Sequence, residues 1–212
     1  MNWRFDELCN DLAEVLSAAE HDLRLEQAVY GLDSLDEPAL QSLLASGLAR
    51  KYEVAREVHY PESAGAKLSH RRRCDLVLTP RGRPLRIDSG EPGLFDPVAS
   101  SEPREALWLE VKVAAQFREL GVRHPGYGAQ WRTAVVEDLR KMESEPSIRH
   151  AGLLLVVFTE SLEILQKDLE LFEDVLVQKE VLAGFRKVRS VAILDRMGHR
   201  FCTVALWPTI QR

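Results

Sequence analysis

Residues 152–158 constrain the fold of this 212-residue chain more than any other stretch. Gly152 leads into Leu153, Leu154, Leu155, Val156, Val157 and Phe158 without a polar interruption. Such a run is far too short to cross a bilayer, which takes about 20 apolar residues. It suits a strand buried on both faces, so a sheet covered by helices on each side is expected, with this strand at its centre.

The flanking segments supply the layers. Residues 5–30 and the stretch beginning at Asp36 carry leucine, alanine and valine at three- and four-residue spacing, the period of a helix. Ser34 and Glu37 have the spacing of a capping box, Pro38 suits the first turn of the second helix, and Gly47 weakens its end. Residues 52–60 alternate as a strand, with Val54, Arg56, Val58 and Tyr60 on one face and Ala55, Glu57 and His59 on the other. Residues 74–79 and 107–113 read as further strands, 130–143 and 161–183 as helices, and 191–194 with 201–206 as a last pair of strands. Trp131, Ala134, Val135 and Leu139 form the expected inner face of the helix over 130–143. Residues 88–105, rich in Gly, Pro, Ser and acids, lack a period and are expected to form a loop insertion. This order implies an α/β fold with a mixed central sheet flanked by helices. With 45% hydrophobic and 29% charged residues, the chain can bury one sizeable core, so a single domain over 1–212 is expected.

Cys9, Cys74 and Cys202 are odd in number and lack a CxxC spacing, which points to small buried side chains rather than a disulfide framework or a zinc site. The first residues lack the basic and apolar regions of a secretory signal, so a cytoplasmic location without a membrane partner is expected. A net charge of −5 argues against holding nucleic acid through the overall field. Charge is nevertheless concentrated: Lys67, Arg71, Arg72, Arg73, Arg81, Arg83 and Arg86 surround the lone acid Asp75. Excess acid falls on the late helix, including Glu163, Asp168, Glu170 and Glu173, as a solvated face.

Glu110 and Lys112 are two apart in an aliphatic strand and share a face with Trp108. Burying such charges costs several kcal/mol unless they are paired, solvated or bound to metal. The pair is either a functional site or an ion pair at a sheet edge. Asp75 interrupts the neighbouring strand in the same way, between Cys74 and Leu76. Strand pairing that sets Asp75 near Glu110 would bring together two hard oxygen ligands suited to Mg²⁺ or Mn²⁺, with Lys112 as a fixed cation beside them.

On these residues the chain resembles the PD-(D/E)XK, or restriction-endonuclease-like, nuclease superfamily, whose signature is an Asp on one strand and Glu/Asp-x-Lys on the next. The likeness covers roughly residues 20–158. It departs from the pattern in lacking a Pro before Asp75 and in a long step to Glu110, which implies an insertion. The resemblance implies a three-layer core of helix, three strands, helix and strand, and a Mg²⁺- or Mn²⁺-dependent nuclease cutting phosphodiester bonds, in DNA before RNA. It makes Asp75 and Glu110 metal ligands and has Lys112 position or polarise the attacking water. Members often add an upstream acid, here Glu57 in preference to Glu26. A polar residue on the following helix points to Gln130, and then to Tyr127, Asp138 and Lys141. Arg71, Arg72 and Arg73 would contact substrate phosphates, although a merely exposed charge run also explains them. A homodimer, joined through the late helix or the final hairpin, would suit cleavage of both strands. The alternative from a different class is a catalytically silent nuclease-like module that binds nucleic acid or a protein.

Overall fold

The computed structural model describes residues 3–61, 72–87, 99–118, 121–132 and 134–210. Its elements are α1 (Phe5–Leu25), a 3-10 turn (Leu32–Ser34), α2 (Glu37–Leu48), β1 (Tyr52–His59), β2 (Arg73–Pro80) and β3 (Leu107–Ala115). They continue through α3 (Tyr127–Arg132), α4 (Ala134–Glu143), β4 (His150–Thr159), α5 (Leu162–Gln178), β5 (Lys187–Ala192) and β6 (Phe201–Pro208). The strands form one six-stranded sheet in the order β1-β2-β3-β4-β6-β5. Only β3 and β4 pair in parallel; every other neighbouring pair is antiparallel.

The apolar run does lie inside the sheet. β4 is buried from Ala151 to Thr159 and packs its two faces into two separate cores. Leu154, Val156 and Phe158 join the leucines of α1 and α2, while Leu153, Leu155 and Val157 join residues of α3, α4 and α5. Trp131, Val135 and Leu139 are buried as their spacing requires; the side chain of Ala134 lies outside the described residues. All three cysteines are buried and free.

Several boundaries differ from the sequence reading. α1 stops at Leu25, and Gln27 adopts a left-handed φ of 52°, so residues 26–30 do not extend the helix. Asp36 rather than Ser34 caps α2, accepting the Ala39 N–H at 2.9 Å, because Ser34 is held in the preceding turn by its bond to the Gly31 carbonyl. Gly47 has a packing reason: a Cβ there would stand 2.3 Å from a methyl of Val15 on α1. Residues 88–98 of the expected insertion lie outside the described residues; its later part returns to the body through Ser101, which pairs with Leu85.

The expected alternation of β1 breaks at one residue. Val54 packs into the α1–α2 core, yet Ala55 and Val58 both pack on the opposite side, as does Tyr60 just beyond the strand. Glu57, with φ 52°, lies at the change of phase. β2 changes phase at the same level, since Cys74 and Val77 share one core while Leu76 and Leu78 occupy the other. The ladder accordingly passes from Arg56↔Leu76 to Val58↔Cys74 and omits the pair that would join Glu57 to Asp75.

Candidate functional site at the opening between β2 and β3

β2 and β3 are joined at only three Cα pairs, Leu78↔Leu107, Val77↔Trp108 and Leu76↔Leu109. Beyond these the next donor of β3, the Val111 N–H, is accepted by the Asp75 carboxylate at 2.7 Å. A side chain thus takes over from the ladder, keeping the backbone donor satisfied as the strand pairing ends. Glu110 and Lys112 flank that donor.

Glu110 is 2% exposed. Its Oε1 accepts the Tyr60 hydroxyl at 2.7 Å and the Lys141 ammonium. Burial pushes its carboxyl up to about 7; Lys141 opposes the shift and Asp75 adds to it. Tyr60 is itself fixed by stacking on Trp108, with ring centroids 5.4 Å apart. Lys112 reaches Glu37 at 3.4 Å and Asp138 at 3.6 Å. Glu37 lies in the first turn of α2 on one face of the sheet, and Asp138 lies on α4 on the other. One ammonium can bridge the two layers because β2 no longer pairs alongside β3 there. Burial disfavours the Lys112 charge, but Asp138, Glu37, Asp75 and Glu110 together outweigh it and raise its pKa. Burial likewise raises Glu37 and Asp138, with Lys112 opposing and Asp75 contributing in both.

The structure therefore brings Asp75, Glu110 and Lys112 into one electrostatic cluster with Asp138 and Lys141, two of the polar residues expected from the following helix, and adds Glu37 and Tyr60. It does not bring in the upstream acids chosen from the sequence, Glu57 and Glu26. Glu57 is exposed and meets Arg73 at 4.0 Å, its left-handed backbone having turned it out of the regular strand. Glu26 is exposed at the end of α1. Gln130 faces His124 at 3.4 Å and makes no hydrogen bond with Asp75, Glu110 or Lys112 among the described residues. Tyr127 donates instead to Asp168 on α5 at 2.7 Å. Glu37 was hidden in the sequence by an ordinary role, since an acid in a helix's first turn is expected from the helix dipole. Tyr60 carried only the signal of an aromatic residue closing a strand.

Of the arginine run, Arg71 lies outside the described residues. Arg72 lines a cleft of about 580 Å³ with Glu137, Asp138, Arg140, Lys141 and Ser144, so the cleft meets the cluster through Asp138 and Lys141. Arg73 is exposed and its carbonyl accepts from Lys141 at 2.9 Å. Arg81 and Arg83 bond to the Arg50 and Ser100 carbonyls and do not join the cluster. A larger hollow of about 930 Å³, bordered by Pro61, Arg83, Arg86 and Pro103, contains none of the clustered acids and is flanked in sequence by segments outside the described residues.

Compared with protein-family models, with curated proteins and with solved structures, the chain has no match. Among the described residues no helix is long and apolar enough to cross a membrane.

Proposed function

We propose that this protein is a metal-dependent nuclease that hydrolyses phosphodiester bonds in DNA, using Mg²⁺ or Mn²⁺ at the opening between β2 and β3. The observation that carries the reading is the convergence of Asp75, Glu110 and Lys112, from two strands, with Glu37 and Asp138 from the two helical layers. The element order from α2 through β1, β2, β3 and α4 to β4, with β4 parallel to β3, supports a restriction-endonuclease-like core.

The donor chemistry fits a hard divalent ion. When ionised, four carboxylates against two ammonium groups leave two negative charges unbalanced within the cluster, and oxygen ligands are those Mg²⁺ and Mn²⁺ prefer. No ready-made group of three or more His, Cys, Asp or Glu ligands stands among the described residues; Lys112 pairs with Glu37 and Asp138, and Lys141 with Glu110. Asp75 and Glu110, joined by Glu37, would hold the ion. A bound ion would lower the pKa of its water and offset charge developing on the phosphate. Lys112, held from both layers, would supply a fixed cation to the reaction, and Arg72 and Arg140 would offer phosphate contacts along the cleft.

The internal pairing of both lysines also favours a second reading, a silent module of the same fold that binds nucleic acid or protein. Labelled single- and double-stranded DNA and RNA, incubated with wild type or Lys112→Ala in Mg²⁺, Mn²⁺ or EDTA, separates the two. Metal-dependent cleavage of DNA that the variant loses supports the nuclease. No cleavage of any substrate, together with no metal-induced rise in Tm, supports the silent module.

A further inference from the structure

The second lysine of the cluster is not explained by the Asp, Glu and Lys pattern. Lys141 projects from α4, one turn beyond Asp138, and its Nζ donates to the Glu110 Oε1 and to the Arg73 carbonyl at 2.9 Å. The same ammonium lies 4.8 Å from the centroid of the Tyr60 ring. Glu110 Oε1 thus already carries two donors, Tyr60 and Lys141, on a side chain that is almost wholly buried.

Building on the metal site proposed above, we infer that Lys141 is a tethered resident cation that a divalent ion must displace from Glu110, so that this lysine sets the metal affinity of the site. The inference rests on shared geometry. An ammonium and a metal ion both seek the Glu110 oxygens, and two cations a few ångströms apart repel strongly in a buried setting. Release is open to Lys141 because it lines the cleft that also holds Arg72, Arg140 and Ser144, where its long side chain can follow the water. The displaced ammonium would find Glu137 and Asp138 in the same cleft as new partners. Lys141 is in this account a positioning residue: it holds Glu110 in place without metal and yields the site when metal arrives.

The test is Mn²⁺ binding by titration calorimetry to the full chain without nucleic acid, comparing wild type with Lys141→Met, which keeps an unbranched side chain one atom shorter but not the charge, and with Lys141→Arg. Melting curves of all three confirm folding. Lys141→Met is expected to bind Mn²⁺ at least about tenfold more tightly than wild type, while Lys141→Arg keeps the weaker affinity. Wild-type binding that Lys141→Met leaves unchanged or weakens overturns the inference and leaves the metal site standing. Absence of Mn²⁺ binding in wild type and both variants overturns the metal site and the inference with it. Should Lys141→Met fail to fold, Lys141→Gln enters the same comparison with the same expected direction.

Discussion

The two seams of β3 run along opposite edges of one strand and are held together differently. Toward β4 the register is unbroken from Leu107↔His150 to Ala115↔Phe158, and Glu110 and Lys112 find Leu153 and Leu155 beside them. Toward β2 it lasts from Leu78↔Leu107 to Leu76↔Leu109, after which a carboxylate takes the Val111 N–H. A continuous ladder satisfies every backbone group with backbone, and the side chains around it can be wholly apolar. Where a side chain supplies the acceptor instead, a charged group is anchored at the sheet and other charges can be solvated or paired around it. The site lies at the second seam because its charges have partners there that the first cannot offer.

Removing bulk from the continuous seam should give the largest effect on the fold. Phe158 is fully buried against the α1–α2 core, so Phe158→Ala is expected to lower stability by about 3–5 kcal/mol in urea denaturation. A loss below about 1 kcal/mol would show that the β4 side is no more tightly packed than the open one. At the other seam, Asp75→Asn keeps an oxygen for the Val111 N–H and removes a charge. Stability should change by less than about 1 kcal/mol, while metal-dependent cleavage falls at least about 100-fold. Equal damage to folding and cleavage would mean that Asp75 serves the strands alone.

The contrast between the seams explains what could be seen in the sequence. β4 and β3 were legible because their side chains follow the rules of a regular, buried strand, and Asp75, Glu110 and Lys112 stood out as violations of those rules. The break in β1 was not legible. Period-two reasoning assumes extended backbone at every residue, and Glu57 leaves it, which moves Val58 and Tyr60 to the face opposite Val54 and turns Glu57 away from the site expected for it. Glu37 and Lys141 are brought to the cluster by helix packing, an association that no local pattern encodes. The resemblance points to Lys141 only after Gln130 and Tyr127, and nothing in the spacing of α4 ties it to Glu110.

Protonation should sharpen the same comparison. Burial raises the Glu110 carboxyl from 4.5 to about 7. Below pH 4.5 the folded and unfolded chains both hold this proton; between 4.5 and 7 the unfolded chain releases it first, so stability from this group is lost as pH rises through that window. The loss approaches about 3 kcal/mol at most, and the raised Glu37 and Asp138 act in the same direction. Denaturation at pH 5 and pH 8 should show a fall for wild type that Glu110→Gln reduces. Mn²⁺ should restore stability at pH 8, since it favours the ionised carboxylates. A pH dependence identical in wild type and Glu110→Gln would contradict the origin assigned to it.

The smallest effect is expected at Glu57, which lies opposite Asp75 and yet belongs to neither seam of β3. Its φ of 52° is a conformation that costs a non-glycine residue roughly 1 kcal/mol, and its side chain is 51% exposed with the distant Arg73 as its one ion-pair partner among the described residues. Glu57→Gly should therefore raise stability by up to about 1 kcal/mol, whereas Glu57→Val, β-branched at the same backbone position, should lower it. Both changes delete the carboxylate, so Mn²⁺ affinity separates backbone from chemistry. An unchanged affinity in the glycine variant is expected from a residue that has only a conformational role, and a severalfold weakening there would return Glu57 to the metal site and require β1 to bend toward Asp75 when the ion binds.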